Sequence, residues 1–223
     1  MRNLLSLAIA FMLILSFTAF ASVETEFESE ADYNPYLILV NKTHALPEAW
    51  DKIVHIDTVE NSLGEKLEIE RKTYDAYCAL REELLEEGIQ IELDSVYRSV
   101  EEQQEIWDAW LADPNKGEDY CKKYLAVPGY SEHHTGLAVD IFIIKDGEEI
   151  RENDDLFADM DDFVQIHNLL AKHGFILRYP KGKDYITGYA YEPWHLRYID
   201  DPELAKQLTS QGLTLEEYLG KID

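Results

Sequence analysis

The chain has 223 residues, of which 46% are hydrophobic, and its formal net charge at pH 7 is −25. This length allows a single domain with its own hydrophobic core. Because so acidic a chain repels the phosphate backbone, the composition argues against a nucleic-acid-binding protein.

The first 35 residues predict a leader and a spacer. Arg2 precedes a mainly apolar run over residues 4–20, and Ala-Phe-Ala at 19–21 fits a cleavage site, so residues 1–21 are predicted to be a signal peptide. The alternative is an uncleaved membrane anchor. Residues 22–35 are acidic and predict a flexible spacer, which leaves 36–223 as the folded domain. We therefore expect a secreted or extracytoplasmic protein with no stable membrane partner once the signal is cleaved.

Three elements are predicted in the first half of the domain. The apolar stretch 37–40 indicates a short buried strand. Residues 70–87 carry large apolar side chains at helical spacing and are followed by Gly88, which predicts a helix and its end. Residues 89–93 alternate apolar and polar side chains, as in a strand with one buried face.

That strand delivers Arg98 to its end. Ser99 and Glu102 form a capping box, which predicts the start of a second helix containing Gln103. A guanidinium at such a turn offers forked donors for an oxyanion or a carboxylate. The alternative is a structural salt bridge.

Two cysteines, Cys78 and Cys121, lie in predicted helices. A secreted protein can form a disulfide, but the sequence leaves their pairing open. Their spacing does not match a cysteine-based metal site.

Residues 131–140 form the first chemical motif, which reads SEHHTGLAVD and leads into the apolar run 141–144. This run predicts a buried strand, so Asp140 is a carboxylate in an apolar element and should face a cation or several donors. His133 and His134 are adjacent, and neighbouring side chains on an extended chain point to opposite sides. Spacing alone does not choose between them.

Residues 192–195 form the second motif, which reads EPWH. Catalytic zinc usually takes three ligands from His, Asp, Glu and Cys. His195 is the candidate third ligand, and Glu192 remains as a base, because a bound metal makes water acidic enough for a carboxylate to deprotonate. Pro193 disfavours a helix here, so we expect an irregular or bulged strand.

The remaining elements complete an α+β domain. Asp146 and Gly147 predict a tight turn, residues 162–173 an amphipathic helix and 175–179 a strand. Short helices are predicted to begin at Pro202 and Thr214. The sequence thus predicts one domain in which strands supply the metal ligands and helices cover the sheet.

Three stretches, 95–103, 128–141 and 188–198, resemble the zinc D-alanyl-D-alanine carboxypeptidases of the VanY type, and the resemblance covers roughly residues 36–200. It implies a central, mostly antiparallel sheet with helices packed around it. It also implies a set of site residues with distinct roles: zinc ligands His133, Asp140 and His195, a catalytic base Glu192, an anion-stabilising Arg98, and Gln103 and Ser131 at the D-alanine end of the substrate.

The predicted activity is hydrolysis of the terminal amide of peptidoglycan stem peptides that end in D-Ala-D-Ala, with one zinc ion and a monomeric protein. An L,D-carboxypeptidase or an endopeptidase on the same wall peptides would share this metal site. From a different class, a non-catalytic binding module would use the metal only to stabilise its fold, but it would need neither Glu192 nor Arg98.

Overall fold

The computed structural model describes residues 34–151, 156–157 and 160–222. The predicted signal peptide at 1–21 and the spacer up to residue 33 lie outside the described residues. Within the described part of the chain, no helix is long and apolar enough to cross a membrane.

The described strands form two antiparallel sheets. The first is a hairpin of two strands, and the second has five strands in the order β3-β4-β7-β6, with β5 paired to β4. Their bounds are β1 Ile56–Glu60, β2 Lys66–Glu70, β3 Gln90–Ser95, β4 Ala138–Lys145, β5 Glu148–Ile150, β6 Phe175–Tyr179 and β7 Glu192–Tyr198. The predicted antiparallel sheet is confirmed.

Helices pack around the larger sheet, which confirms the α+β class. Their bounds are α1 Arg71–Glu86, α2 Val100–Ala112, α3 Glu118–Tyr124, α4 Met160–Leu170, α5 Asp184–Thr187, α6 Pro202–Gln211 and α7 Leu215–Leu219. The predicted capping box opens α2 at Ser99, and a second capping box opens α7 at Thr214, where the start of a short helix was predicted. Each box satisfies backbone N–H groups that the first helical turn leaves without partners.

The main core lies between the larger sheet and the helices α1 and α4. Tyr77, Leu80 and Leu84 form the buried face of α1, in agreement with the predicted helical spacing, and pack with Ile91 of β3 and Phe163 of α4. Burying each such side chain contributes about 1.5–3 kcal/mol. This core fixes β3 and β4, whose ends reach the candidate site.

The prediction of a strand over residues 37–40 is wrong. The chain forms a 3₁₀ helix at Pro35–Leu37, where the Asn34 side chain accepts the Tyr36 N–H at 2.9 Å. Leu39 packs instead with residues of α6 and α7. Pro35 suits the first position of a helical turn, because its missing N–H would have no partner there.

Three further features can be compared with the expectations from the sequence: the two cysteines, the β1–β2 hairpin and the β4–β5 turn. Cys78 is exposed, Cys121 is buried, and both are free thiols. The β1–β2 hairpin was not predicted from the sequence. In the hairpin joining β4 to β5, Asp146 and Gly147 both have positive φ, which is the backbone conformation of the predicted tight turn.

Candidate metal centre

Two neighbouring strands bring the first two candidate ligands together. In the antiparallel pairing of β4 with β7, Asp140 lies directly opposite His195. Side chains at directly opposed positions lie on the same face of a sheet. Asp140 Oδ1 is 2.9 Å from His195 Nδ1.

His133 reaches the same point from a 3₁₀ helix, Glu132–Thr135, that precedes β4. Its Nε2 lies 3.1 Å from Asp140 Oδ2. Gly136 ends this helix with φ +72°, and a Cβ there would lie 2.5 Å from Ile56 Cδ1 and 3.2 Å from the Glu70 backbone nitrogen. Glycine is therefore the residue that lets the chain turn from His133 into β4.

Hydrogen bonds orient the imidazoles of both candidate ligands. His133 Nδ1 lies 2.7 Å from the Val96 carbonyl oxygen, so it donates there and leaves Nε2 with a free lone pair. His195 Nε2 lies 3.4 Å from Glu132 Oε2, which leaves Nδ1 facing Asp140. The other ring nitrogens, His133 Nε2 and His195 Nδ1, both face the Asp140 carboxylate.

His134 takes no part in this group. Its Nδ1 lies 2.6 Å from the Arg98 carbonyl oxygen, and its Nε2 accepts the Gly129 N–H at 3.1 Å. Both ring nitrogens are thus used within the protein. The structure brings His133, and not its neighbour, to Asp140 and His195.

The three residues fit a zinc ion. Ligand atoms of His133, Asp140 and His195 all lie within 4.8 Å of one another. Asp140 Oδ1 is buried and has no hydrogen-bond partner among the described residues, although His195 Nδ1 lies 2.9 Å away. A convergent but unsatisfied carboxylate with two imidazoles is the donor set of a catalytic zinc site.

Electrostatics favour a cation at this place. Burial alone would raise the pKa of Asp140, but the imidazoles of His133 and His195 outweigh it and hold that pKa well below its usual range. The carboxylate therefore stays ionised at neutral pH.

Glu192 lies beside the three residues without joining them. Its Oε2 is 3.8 Å from His195 Nδ1, and burial raises the pKa of Glu192 to about 8. The β6–β7 register shifts between Leu177 and Tyr179, and Tyr179 pairs with Glu192. This confirms the predicted irregular strand and explains how two residues three apart reach one site, since a regular strand would turn them to opposite faces.

Arg98 is held at the edge of the same cleft. Its Nη1 donates to Gln103 Oε1 at 2.8 Å and its Nη2 donates to Ser95 Oγ at 2.6 Å. Gln103 is fully buried, and its Nε2 donates to the Ala126 carbonyl oxygen at 2.7 Å. Both polar atoms of Gln103 are therefore used inside the protein.

The cleft has a cavity volume of about 190 Å³ and is lined by six of the seven predicted site residues, including Ser131. Ser131 Oγ also accepts the His133 N–H at 3.3 Å. Aromatic side chains supply much of the remaining wall: Trp110, Tyr124, Tyr179, Tyr189 and Trp194. Among the predicted site residues, Gln103 alone is absent from this lining.

Residues 66–201 match the family model VanY: D-alanyl-D-alanine carboxypeptidase. The chain belongs to the VanY family. The matched range contains Arg98, Glu192 and all three candidate ligands. The predicted family and the predicted class of enzyme, a carboxypeptidase and thus a hydrolase, are confirmed.

Relatives of known sequence or structure agree with this assignment. YodJ of Bacillus subtilis (strain 168) is 40% identical over 190 residues, which cover 83% of this chain and 67% of YodJ, so the chain spans about two thirds of that relative. A vancomycin resistance D,D-pentapeptidase VanY from a VanB-type cassette, solved with Zn(II), is 34% identical with a TM-score of 0.69, covering 83% of this chain and 99% of the other. The LD-carboxypeptidase LdcB, whose structure concerns peptidoglycan recognition, is 39% identical with a TM-score of 0.69. The match covers 85% of this chain and 89% of the LdcB chain.

One part of this VanY-family site was not predicted from the sequence. Behind His195 lie four buried charged residues, Glu132, Arg178, Arg197 and Glu216. One sequence feature could have predicted this cluster: Arg178 lies inside the apolar strand Phe175–Tyr179, and a buried charge requires a partner of opposite charge.

Proposed function

We propose that this chain is a zinc-dependent D-alanyl-D-alanine carboxypeptidase that releases the terminal D-alanine from peptidoglycan stem peptides. The observation that carries the proposal is the convergence of His133, Asp140 and His195 at one cleft that Glu192 and Arg98 also line. The small cleft suits the end of a peptide better than a large ligand.

His133 would hold one zinc ion through Nε2, His195 through Nδ1, and Asp140 through its carboxylate. When bound, zinc would act as a Lewis acid that polarises a carbonyl group and lowers the pKa of water. Hydrolysis also requires a protein group that transfers a proton from the attacking water to the leaving amine, and Glu192 supplies that function.

Glu192 accepts a proton from the attacking water and donates it to the departing D-alanine amine. Burial raises the pKa of Glu192 to about 8 in the metal-free site, and a zinc ion held beside it would lower that pKa toward the range in which the carboxylate accepts a proton. Arg98 stabilises the negative charge that develops on the scissile carbonyl oxygen. Gln103 and Ser95 use two of its five donors and fix its direction, so Gln103 acts here by positioning Arg98.

Ser131 lines the cleft next to His133 and is the candidate for contact with the D-alanine end of the substrate. We propose that the protein acts outside the cytoplasm, because residues 1–21 have the pattern of a signal peptide and the substrate belongs to the cell wall. We also propose that it acts as a monomer.

A second activity, L,D-carboxypeptidase, is favoured by one finding, the similarity to LdcB. It would use the same metal site and remove D-alanine from a tetrapeptide stem instead of a pentapeptide stem. The difference depends on how the cleft receives the residue before the scissile bond.

Purified protein is therefore incubated with tripeptide, tetrapeptide and pentapeptide stems, and the products are followed by mass spectrometry. The proposal predicts loss of one alanine from the pentapeptide and an intact tetrapeptide. A trimmed tetrapeptide beside an untouched pentapeptide would establish the L,D activity instead. No cleavage of any stem by zinc-loaded protein would refute both activities.

A further inference from the structure

The carboxylate of Glu132 contacts three cationic or donor groups behind the metal centre. Glu132 Oε1 accepts hydrogen bonds from Arg178 Nε and Arg197 Nη1, each at 2.6 Å. Glu132 Oε2 faces His195 Nε2 at 3.4 Å. The two oxygens thus have different partners: one binds the arginines and the other binds the imidazole.

The two guanidinium groups are themselves anchored. Arg178 Nη1 and Nη2 donate to Glu216 Oε2 at 2.9 Å and Oε1 at 2.6 Å. Arg197 Nη2 donates to the carbonyl oxygens of Tyr36 and Ile38 at 3.0 and 2.7 Å. Both arginines are fully buried, so neither can exchange Glu132 for water.

These anchors lie outside the stretch that matches the family model, which covers residues 66–201. Glu216 belongs to α7, and Tyr36 belongs to the 3₁₀ helix at the start of the described chain. Segments on both sides of the matched stretch therefore anchor the two arginines that bind Glu132.

We propose that Glu132 is a positioning residue that keeps the proton of His195 on Nε2 and so directs the lone pair of Nδ1 to the metal. A neutral imidazole carries one donor and one acceptor nitrogen, and the group that contacts one nitrogen sets the role of the other. A carboxylate on the distal nitrogen of a metal-binding histidine fixes both the tautomer and the ring orientation. This inference rests on the metal site of the proposed function.

The substitution Glu132→Gln separates this role from packing. Glutamine keeps the size of the side chain but has a single acceptor oxygen. Charged donors form the stronger hydrogen bonds, so Arg178 and Arg197 retain that oxygen. The glutamine NH₂ group then faces His195 Nε2, which has to accept a hydrogen bond, and the imidazole proton moves to Nδ1, where it blocks the metal.

The first test is zinc affinity, measured by competition with a chromophoric chelator at fixed pH. We expect Glu132→Gln to weaken zinc binding by about 10-fold to 100-fold, the usual effect of losing such a partner. Binding within about threefold of wild type would overturn the proposal.

The matched control is Glu92→Gln. Glu92 is also buried, accepts the Tyr77 hydroxyl at 2.9 Å and lies 3.3 Å from Arg81 Nη2, but it does not contact the metal centre. We expect this variant to lose folding stability and to keep its zinc affinity. Equal loss of affinity in both variants would show a general structural effect and would also overturn the proposal.

A second measurement needs no variant and so does not depend on whether Glu132→Gln folds. Wild-type protein with ¹⁵N-labelled histidine is loaded with ¹¹³Cd, and the metal–nitrogen coupling is observed by NMR. Coupling to Nδ1 of His195, with a proton on its Nε2, is the expected result, whereas coupling to Nε2 would overturn the proposal. Wild-type protein that binds neither zinc nor cadmium would refute the metal site itself, whereas the outcomes above concern Glu132 alone.

Discussion

Replacing Glu192 by glutamine removes the proposed proton carrier while keeping the size and shape of the side chain. Glu192 is not one of the three residues that converge on the metal position, and its closest charged contact there is His195 Nδ1 at 3.8 Å. The substitution should therefore abolish proton transfer and leave zinc binding intact.

The expected loss follows from the size of such proton transfers. General acid–base catalysis contributes about 100-fold to 10,000-fold, so kcat should fall by that factor. At about 1.36 kcal/mol per tenfold change in rate, this is a rise of about 2.7–5.4 kcal/mol in the activation barrier. KM should change little, because substrate binding does not require the proton.

The assay follows D-alanine release from a pentapeptide stem under steady-state conditions, with the zinc content of each preparation measured by atomic absorption. Glu92→Gln is the control for removing a buried carboxylate elsewhere, and it should retain kcat. A Glu192→Gln enzyme with near-normal kcat would refute the role of Glu192, and so would a variant that is inactive because it has lost zinc.

The same variant has a pH signature when the metal has been removed by a chelator. Burial raises the pKa of Glu192 in the folded protein from 4.5 to about 8. At low pH the carboxyl is protonated in both states and contributes nothing. As pH rises through the window from 4.5 to about 8, the unfolded chain ionises first, so the wild-type protein loses stability relative to Glu192→Gln. Urea unfolding across this window should show the gap widening and then levelling above pH 8; a gap independent of pH would contradict it.

Three further predictions concern other residues. Arg98→Lys keeps the charge but not the forked donors, so kcat should fall by about 100-fold to 1000-fold with zinc retained; kcat within about tenfold of wild type would contradict this. In metal-free protein, burial lowers the pKa of His195, but the Asp140 carboxylate outweighs burial and raises that pKa to about 9. Zinc binding at pH 7 should therefore release about one proton or more from the site, which calorimetry in two buffers measures. The absence of proton release would contradict this prediction. Gly136→Ala should lower the free energy of unfolding by about 2 kcal/mol and Tm by about 4–8 °C. The loss should exceed that of the control Gly64→Ala, whose added Cβ meets nothing within 4 Å. Equal Tm values for the two variants would contradict the role of the contacts at Gly136.

Local patterns predicted the elements that carry the site. The α1 helix follows from apolar side chains at helical spacing, and β3 follows from alternation, because each pattern describes one buried face. Asp140 was informative for a different reason. A carboxylate inside an apolar strand must have a partner, and the structure places two imidazoles beside it.

The choice between His133 and His134 could not be made from spacing, because it depends on residues far along the chain. The carbonyl oxygens that orient the two rings belong to Val96 and Arg98, which lie 37 and 36 residues away. Only the fold, which brings the segment after β3 against the 3₁₀ helix, decides which imidazole faces Asp140.

The Glu132 network was missed for the same reason. Its partners Arg178 and Arg197 are 46 and 65 residues from it, and Glu216 is a further 38 residues from Arg178. A motif describes neighbours in sequence, whereas a buried charge network joins separate elements. The incorrect prediction of a strand at 37–40 has a local cause. The apolar run there was given more weight than the preceding Asn-Pro pair, which begins a helical turn.

The most direct test of the metallocarboxypeptidase is one reversible measurement on a pentapeptide stem ending in D-Ala-D-Ala. Release of D-alanine is followed by mass spectrometry before chelation, after removal of the metal and after addition of zinc. We predict loss of one alanine per peptide, no release after chelation, and recovery with zinc. Release that continues in protein verified to be free of metal would contradict a metal-dependent enzyme, and the absence of release by zinc-loaded protein would contradict a carboxypeptidase acting on this substrate.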